Sequence, residues 1–98
     1  MRRLHAIAAI KERETEIRRA GATSLWLFGS TARDEAGPAS DLDVFVDYDL
    51  QSKFSLLNLV RIKHVIEDHI GTAVDMTTRN SLDPTLRQEI LSSAVQVF

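Results

Sequence analysis

The sequence predicts an α/β (α+β) domain in which one small mixed β-sheet carries packed helices, in the order α-β-α-β-α-β-α. Three observations predict it. Short β-branched and aromatic runs, "TSLWLF", "DLDVFVDY" and "TAVDMTT", alternate with longer segments whose apolar residues recur at helical spacing. Elements alternating in this way bury their apolar faces in layers. A chain of 98 residues fills one modest core but not two, so residues 1–98 read as a single domain.

Each element has its own signal. From about Leu4 to Ala20, Leu4, Ile7, Ala8, Ile10 and Ile17 lie among Lys, Arg and Glu at helical spacing, and Gly21 after "IRRA" stops that helix. "TSLWLF" is a buried strand, and "GSTARDEA" opens a short helix directly after it, with "GPAS" as a loop. In "DLDVFVDY", alternation puts Asp41, Asp43 and Phe45 on one face and Leu42, Val44 and Val46 on the other. "SKFSLLNLVRIKHVIEDHIG" is an amphipathic helix ending at Gly71, and "TAVDMTT" is a shorter, half-polar strand. Asp83 caps a last helix, "DPTLRQEILSSAV", with Pro84 at its first position. The short link between the first two strands and the helical crossover to the third predict a mixed sheet.

Composition narrows the function. Apolar residues at 44% and charged residues at 27% are ordinary for a globular domain. No run approaches the roughly 18 to 20 apolar residues of a membrane helix. Lys11 and Glu12 interrupt the apolar part of the arginine-led start, which therefore reads as folded structure rather than a signal peptide. The absence of cysteine excludes disulfides, thiolate zinc sites and cysteine nucleophiles, and fits a cytoplasmic location. With 12 basic and 14 acidic residues the net charge is −2, which disfavours duplex nucleic acid as the main ligand. Any nucleotide held by such a chain calls for metal ions to offset repulsion.

The candidate chemistry starts at Asp41 and Asp43. Carboxylates at i and i+2 of a strand converge, and converging anions need a proton or a cation between them. Magnesium suits the second solution, since it takes one or two carboxylates together with substrate phosphates. Alone, the pair is better read as a solvated turn, because so short a motif recurs by chance. Gly29-Ser30, at the end of the preceding strand, adds a place where backbone can approach a phosphate, although a plain strand-to-helix turn explains it too. Asp75, between Val74 and Met76, fits a buried strand poorly. It either faces water or completes a three-carboxylate cluster for two metals. Arg33, one helical turn after Ser30, is either an exposed helix residue or a partner for a triphosphate.

The remaining singular residues read as structure. His64 and His69 are five apart and miss the i, i+4 spacing of a zinc pair, and with His5 they read as surface or helix-boundary residues. Trp26 reads as packing, Tyr48 as a strand end, and Arg2-Arg3 as a solvated helix start.

Gly29-Ser30, ten residues, then Asp41-Leu42-Asp43 resembles the signature of the DNA polymerase β-like nucleotidyltransferase superfamily. The longer string "FGSTARDEAGPASDLDVFV" is similar to the F-G-S-x-A-R-G-x-x-x-x-x-S-D-x-D-L-hydrophobic pattern of its minimal nucleotidyltransferases (MNT proteins). Asp75 stands where they carry a third acid, and "LRQEILSSAVQVF" resembles their usual end. Asp34 departs from the pattern, standing where glycine is common and bringing a negative charge near the proposed phosphate site. The resemblance implies the nucleotidyltransferase fold and transfer of AMP, or another nucleoside monophosphate, from a nucleoside triphosphate to an acceptor hydroxyl. It implies two Mg2+ ions on Asp41, Asp43 and Asp75, ATP as co-substrate, and Gly29, Ser30 and Arg33 at the phosphates. Many short MNT proteins are antitoxins encoded beside a HEPN ribonuclease toxin, and some transfer AMP to a tyrosine of it, so a cognate HEPN toxin is the implied partner, with a dimer or hetero-oligomer as the implied assembly. A contact-only antitoxin and transfer to a small molecule are the alternatives.

Overall fold

The structure, a computed structural model, describes residues 1–98. Its order is α1 (Arg3–Lys11), α2 (Glu14–Arg19), β1 (Ala22–Phe28), α3 (Gly29–Ala32), β2 (Leu42–Tyr48), α4 (Leu56–Ile70), β3 (Val74–Thr78), α5 (Arg87–Ser93) and β4 (Val95–Gln96), with a 3-10 turn at Arg79–Ser81. The sheet runs β3-β2-β1-β4. β1 is antiparallel to β2 and β4, whereas β2 and β3 are parallel, so the sheet is mixed as the connections predict.

One face of the sheet carries the core. Leu25 and Leu27 of β1, Leu42, Val44 and Val46 of β2, and Val74 of β3 cluster with Ile10, Ile17, Ile62 and Ile66 from α1, α2 and α4. Ile62 and Ile66 are one turn apart on α4, and full burial of each contributes about 2 kcal/mol. Helix α4 is anchored at its start, where Asn58 Oδ1 accepts the Ser55 N–H at 3.1 Å and Asn58 Nδ2 donates to the Ala20 carbonyl at 2.8 Å. It stops at Gly71, which is left-handed with φ +77°.

Three elements differ from the sequence expectation. The first helix is two: the chain tightens at Glu12–Arg13, where Arg13 leaves helical geometry at φ −112° and ψ 13°. No proline or glycine marks the break. It sets Glu12 and Arg13 on either side of His69, with Arg13 Nη2 at 3.3 Å from Nδ1 and Glu12 Oε1 at 3.1 Å from Nε2. Arginine only donates, so Nδ1 accepts and Nε2 gives its proton to Glu12. The last helix begins at Arg87 rather than Pro84, because Asp83 spends its side chain and carbonyl on a turn to Thr85 and Leu86. That helix also ends early. Ala94 turns extended, and Val95–Gln96 form a fourth strand against Leu27 and Trp26. Two residues have no period of their own, so this strand is invisible until its partner is known.

Candidate active site

The face of the sheet turned away from α1, α2 and α4 is ordered in three rows. Pairing places Phe28 beside Asp43 and Asp43 beside Asp75, neighbouring strands being about 4.8 Å apart. The next row is Trp26, Phe45 and Thr77. Beyond it, Ser24 is paired with Asp47, which meets Arg79 just past β3. Asp41, one residue before β2, is exposed at the edge of the first row, as is Asp75 within it.

Asp43 is the most constrained of the acids. Its carboxyl is held above the usual carboxylate range, mainly by burial, then by the charges of Asp75 and Asp41, with Arg33 pulling the other way. Its carboxylate also rests on the backbone of Gly29. That glycine has φ +70°, and a Cβ there would overlap Asp43 Oδ2 and stand 3.0 Å from Cγ. Gly29 and Asp43, fourteen positions apart in sequence, are therefore two halves of one contact. Ser30 follows in the first turn of α3, half-buried.

The carboxylates share a face without closing into a cage. No three Asp, Glu or His side chains stand close enough together to ligate one ion. Like charges repel, and the exposed Asp41 and Asp75 are free to lie apart. Their chemistry nonetheless fits a hard divalent cation: the donors are carboxylate oxygens, and the charges of Asp75 and Asp41, which add to burial in raising Asp43, are ones a cation would offset. Arg33 is exposed and donates from Nε to Glu35 Oε2 at 3.1 Å, yet its charge is felt at Asp43. Beside the Gly29 turn opens a cavity of about 230 Å³, walled by Phe28, Arg33, Leu86 and Ile90 among others. The largest concavity, about 760 Å³ between α2 and α4, includes none of the acids of this row.

The third row carries no signal in the sequence. Arg79 donates from Nε and Nη2 to the two carboxylate oxygens of Asp47 at 2.7 and 3.0 Å. Its guanidinium lies 5.1 and 5.0 Å from the ring centres of Trp26 and Phe45, which stack at 5.9 Å. Ser24 Oγ also donates to Asp47, and Trp26 Nε1 donates to Ser24. This lid makes Phe45 fully buried although it sits on the open face. Trp26 thus packs, as its position predicts. Of the arginine pair at the start, Arg2 is exposed as expected, whereas Arg3 is not a solvated helix start, because its Nη1 donates to the Ala32 carbonyl at 3.1 Å. Asp34, the residue out of pattern, accepts the Arg3 backbone N–H at 2.9 Å. The histidines lie on helices apart from the acids, His5 and His64 exposed. No helix is long and apolar enough to cross a membrane.

The chain matches the family model described as "Nucleotidyltransferase domain" over residues 9–97. It is 45% identical over 72 residues to a Methanocaldococcus jannaschii protein provisionally named a protein adenylyltransferase, spanning 74% of this chain and 75% of that one. It is 32% identical over 79 residues to the protein adenylyltransferase MntA of Thermococcus cleftensis, spanning 81% and 78%. A solved structure described provisionally as a minimal nucleotidyltransferase superposes with a TM-score of 0.80 at 33% identity, covering 97% of this chain and 95% of that one. The fold is shared, at 15% identity and a TM-score of 0.64, with a chain of the complex between a tri-AMPylated Shewanella oneidensis HEPN toxin and its MNT antitoxin, over 94% and 71% of the two chains. The chain belongs to the nucleotidyltransferase domain family and is a minimal nucleotidyltransferase.

Proposed function

We propose that this chain acts as a single-domain protein adenylyltransferase, moving AMP from ATP to a tyrosine hydroxyl of a HEPN ribonuclease toxin and so serving as its antitoxin. The observation that carries the reading is the row Phe28–Asp43–Asp75, with Asp43 seated on the left-handed Gly29 turn. The toxin as acceptor follows the relatives: two are named for protein adenylylation, and one neighbour of the same fold is an antitoxin bound to an AMPylated HEPN toxin.

In this reading Gly29 and Ser30 offer backbone N–H groups to the β- and γ-phosphates, and Arg33 leaves Glu35 to meet their charge. Asp41, Asp43 and Asp75 are the ligands for two magnesium ions. Those ions, when bound, stabilise both the entering and the leaving oxygens of an in-line displacement. The acceptor oxygen bonds to the α-phosphorus as the bond to the bridging oxygen breaks and pyrophosphate leaves. Asp75 is exposed on the edge strand, and in this reading it takes the hydroxyl proton.

The test is the intact mass of the partner after incubation with this chain, ATP and magnesium. The partner gains AMP units, and Asp43→Asn abolishes the gain while the complex still forms. An unchanged mass alongside full inhibition of the toxin would instead identify a blocker that acts by contact.

A further inference from the structure

We propose that Asp34 and Arg3 form a latch between α1 and α3 that holds the Gly29–Ser30 turn in its nucleotide-binding orientation, which makes Asp34 a positioning residue. The inference rests on the reading that this turn receives the triphosphate.

Helix α1 starts without a cap of its own. Arg2 at its N-cap makes no side-chain hydrogen bond, so the first N–H groups of the helix need an outside acceptor. Asp34 Oδ1 supplies it, accepting the Arg3 N–H at 2.9 Å from thirty-one positions away. A second bond runs in the same direction. Arg3 Nη1 donates at 3.1 Å to the carbonyl of Ala32, the last residue of α3, where helical carbonyls lack partners. One arginine thus spends its backbone and its guanidinium on the same end of α3.

Asp34 also holds a conformation that argues for its carboxylate. It is the one non-glycine residue with positive φ, at 60°. Glycine would occupy that position with less strain, and what aspartate adds is the oxygen bonded to Arg3. Helix α3 is four residues long, too short to fix its own direction, and is held by the burial of Thr31 and Ala32 together with the contacts at its ends. At Gly29 the start of the helix packs against the Asp43 carboxylate, and past Ala32 it is held by the latch. Thr31 and Ala32 between them are buried, so a shift at one end carries to the other. The extra negative charge of Asp34 is accordingly engaged with the start of α1.

The test is calorimetric titration with AMP-PNP and magnesium, which needs no acceptor. Asp34→Gly keeps the left-handed turn and deletes the carboxylate, and it weakens binding about tenfold, since small misplacements of a positioning element are costly. Asp34→Asn retains an acceptor oxygen and stays within about twofold of the wild type. Arg3→Ala weakens binding as well, and the double variant Arg3→Ala/Asp34→Gly loses less than the two single effects summed, as expected of one unit. Asp34→Gly binding as tightly as the wild type, while Asp43→Asn abolishes binding, would overturn the latch and leave the functional reading intact. A wild type that binds no AMP-PNP at all would overturn both.

Discussion

Replacing Gly29 by alanine separates two costs that the structure keeps apart. The first is conformational: φ is +70°, and an L-residue held left-handed loses about 1–2 kcal/mol. For a domain of this size that lowers the melting temperature by roughly 5–10 °C. The second is local. The new Cβ would overlap Asp43 Oδ2 and crowd Cγ at 3.0 Å, so the carboxylate must retreat by about 1 Å, a misplacement that costs on the order of 100-fold in turnover. Gly71 is the control, since it has φ +77° with nothing within 4 Å of its would-be Cβ. Gly71→Ala therefore carries the same conformational cost and no steric one. Thermal unfolding by circular dichroism and the initial rate of AMP transfer measure the two together. Both variants melt lower, and only Gly29→Ala loses its rate. Equal rates for the two variants, at temperatures where both are folded, would refute the assignment of Asp43 and its glycine seat to the reaction.

Other outcomes follow from the same geometry. Asp47→Asn breaks the paired contact with Arg79 and destabilises by about 2 kcal/mol, read as a lower denaturation midpoint. The wild-type Asp47 carboxyl sits below its usual range, chiefly through Arg79, so its stabilisation is full above the unfolded value of 3.8 and is lost as pH falls through the lowered folded value. Acid titration of stability in the Asn variant lacks that loss. Asp43 has the opposite sign: its raised carboxyl makes ionisation unfavourable to the fold as pH rises above 3.8. Asp43→Asn in EDTA at neutral pH consequently melts higher than the wild type, whereas magnesium raises the melting temperature of the wild type alone. Asn58→Ala removes the side-chain bonds to Ser55 and Ala20 that anchor the start of α4 and costs about 1–2 kcal/mol by chemical denaturation.

The strands that carry the acids were legible because alternation is a local rule: Leu42, Val44 and Val46 face the core, and Asp43 faces the other way. Their register was not. Nothing near Asp43 or Asp75 states that these two are neighbours, since pairing is fixed by the shared core and the α4 crossover. The glycine at 29 was visible as a turn residue, but its partner, Asp43, belongs to another strand. The same holds for the aromatic lid, where Arg79 reads as an ordinary loop residue until β3 lies beside β2. The break between α1 and α2 has no breaker residue, and β4 is two residues long, so both arise from tertiary contacts. Asp34 is the instructive case. Its side chain reads locally as a charge near phosphate, and the fold gives it the first N–H of α1 instead.

In the proposed reaction the row around Asp43 transfers a nucleotidyl group to a protein hydroxyl. Its most direct measurement follows two labels in parallel, ATP carrying label at the α-phosphorus and ATP carrying it at the γ-phosphorus, with magnesium and the HEPN partner. The α label ends on the partner, the γ label leaves in pyrophosphate, and Asp43→Asn stops both. A γ label on the partner, or no label on a partner that is nevertheless fully inhibited, would contradict the proposed reaction.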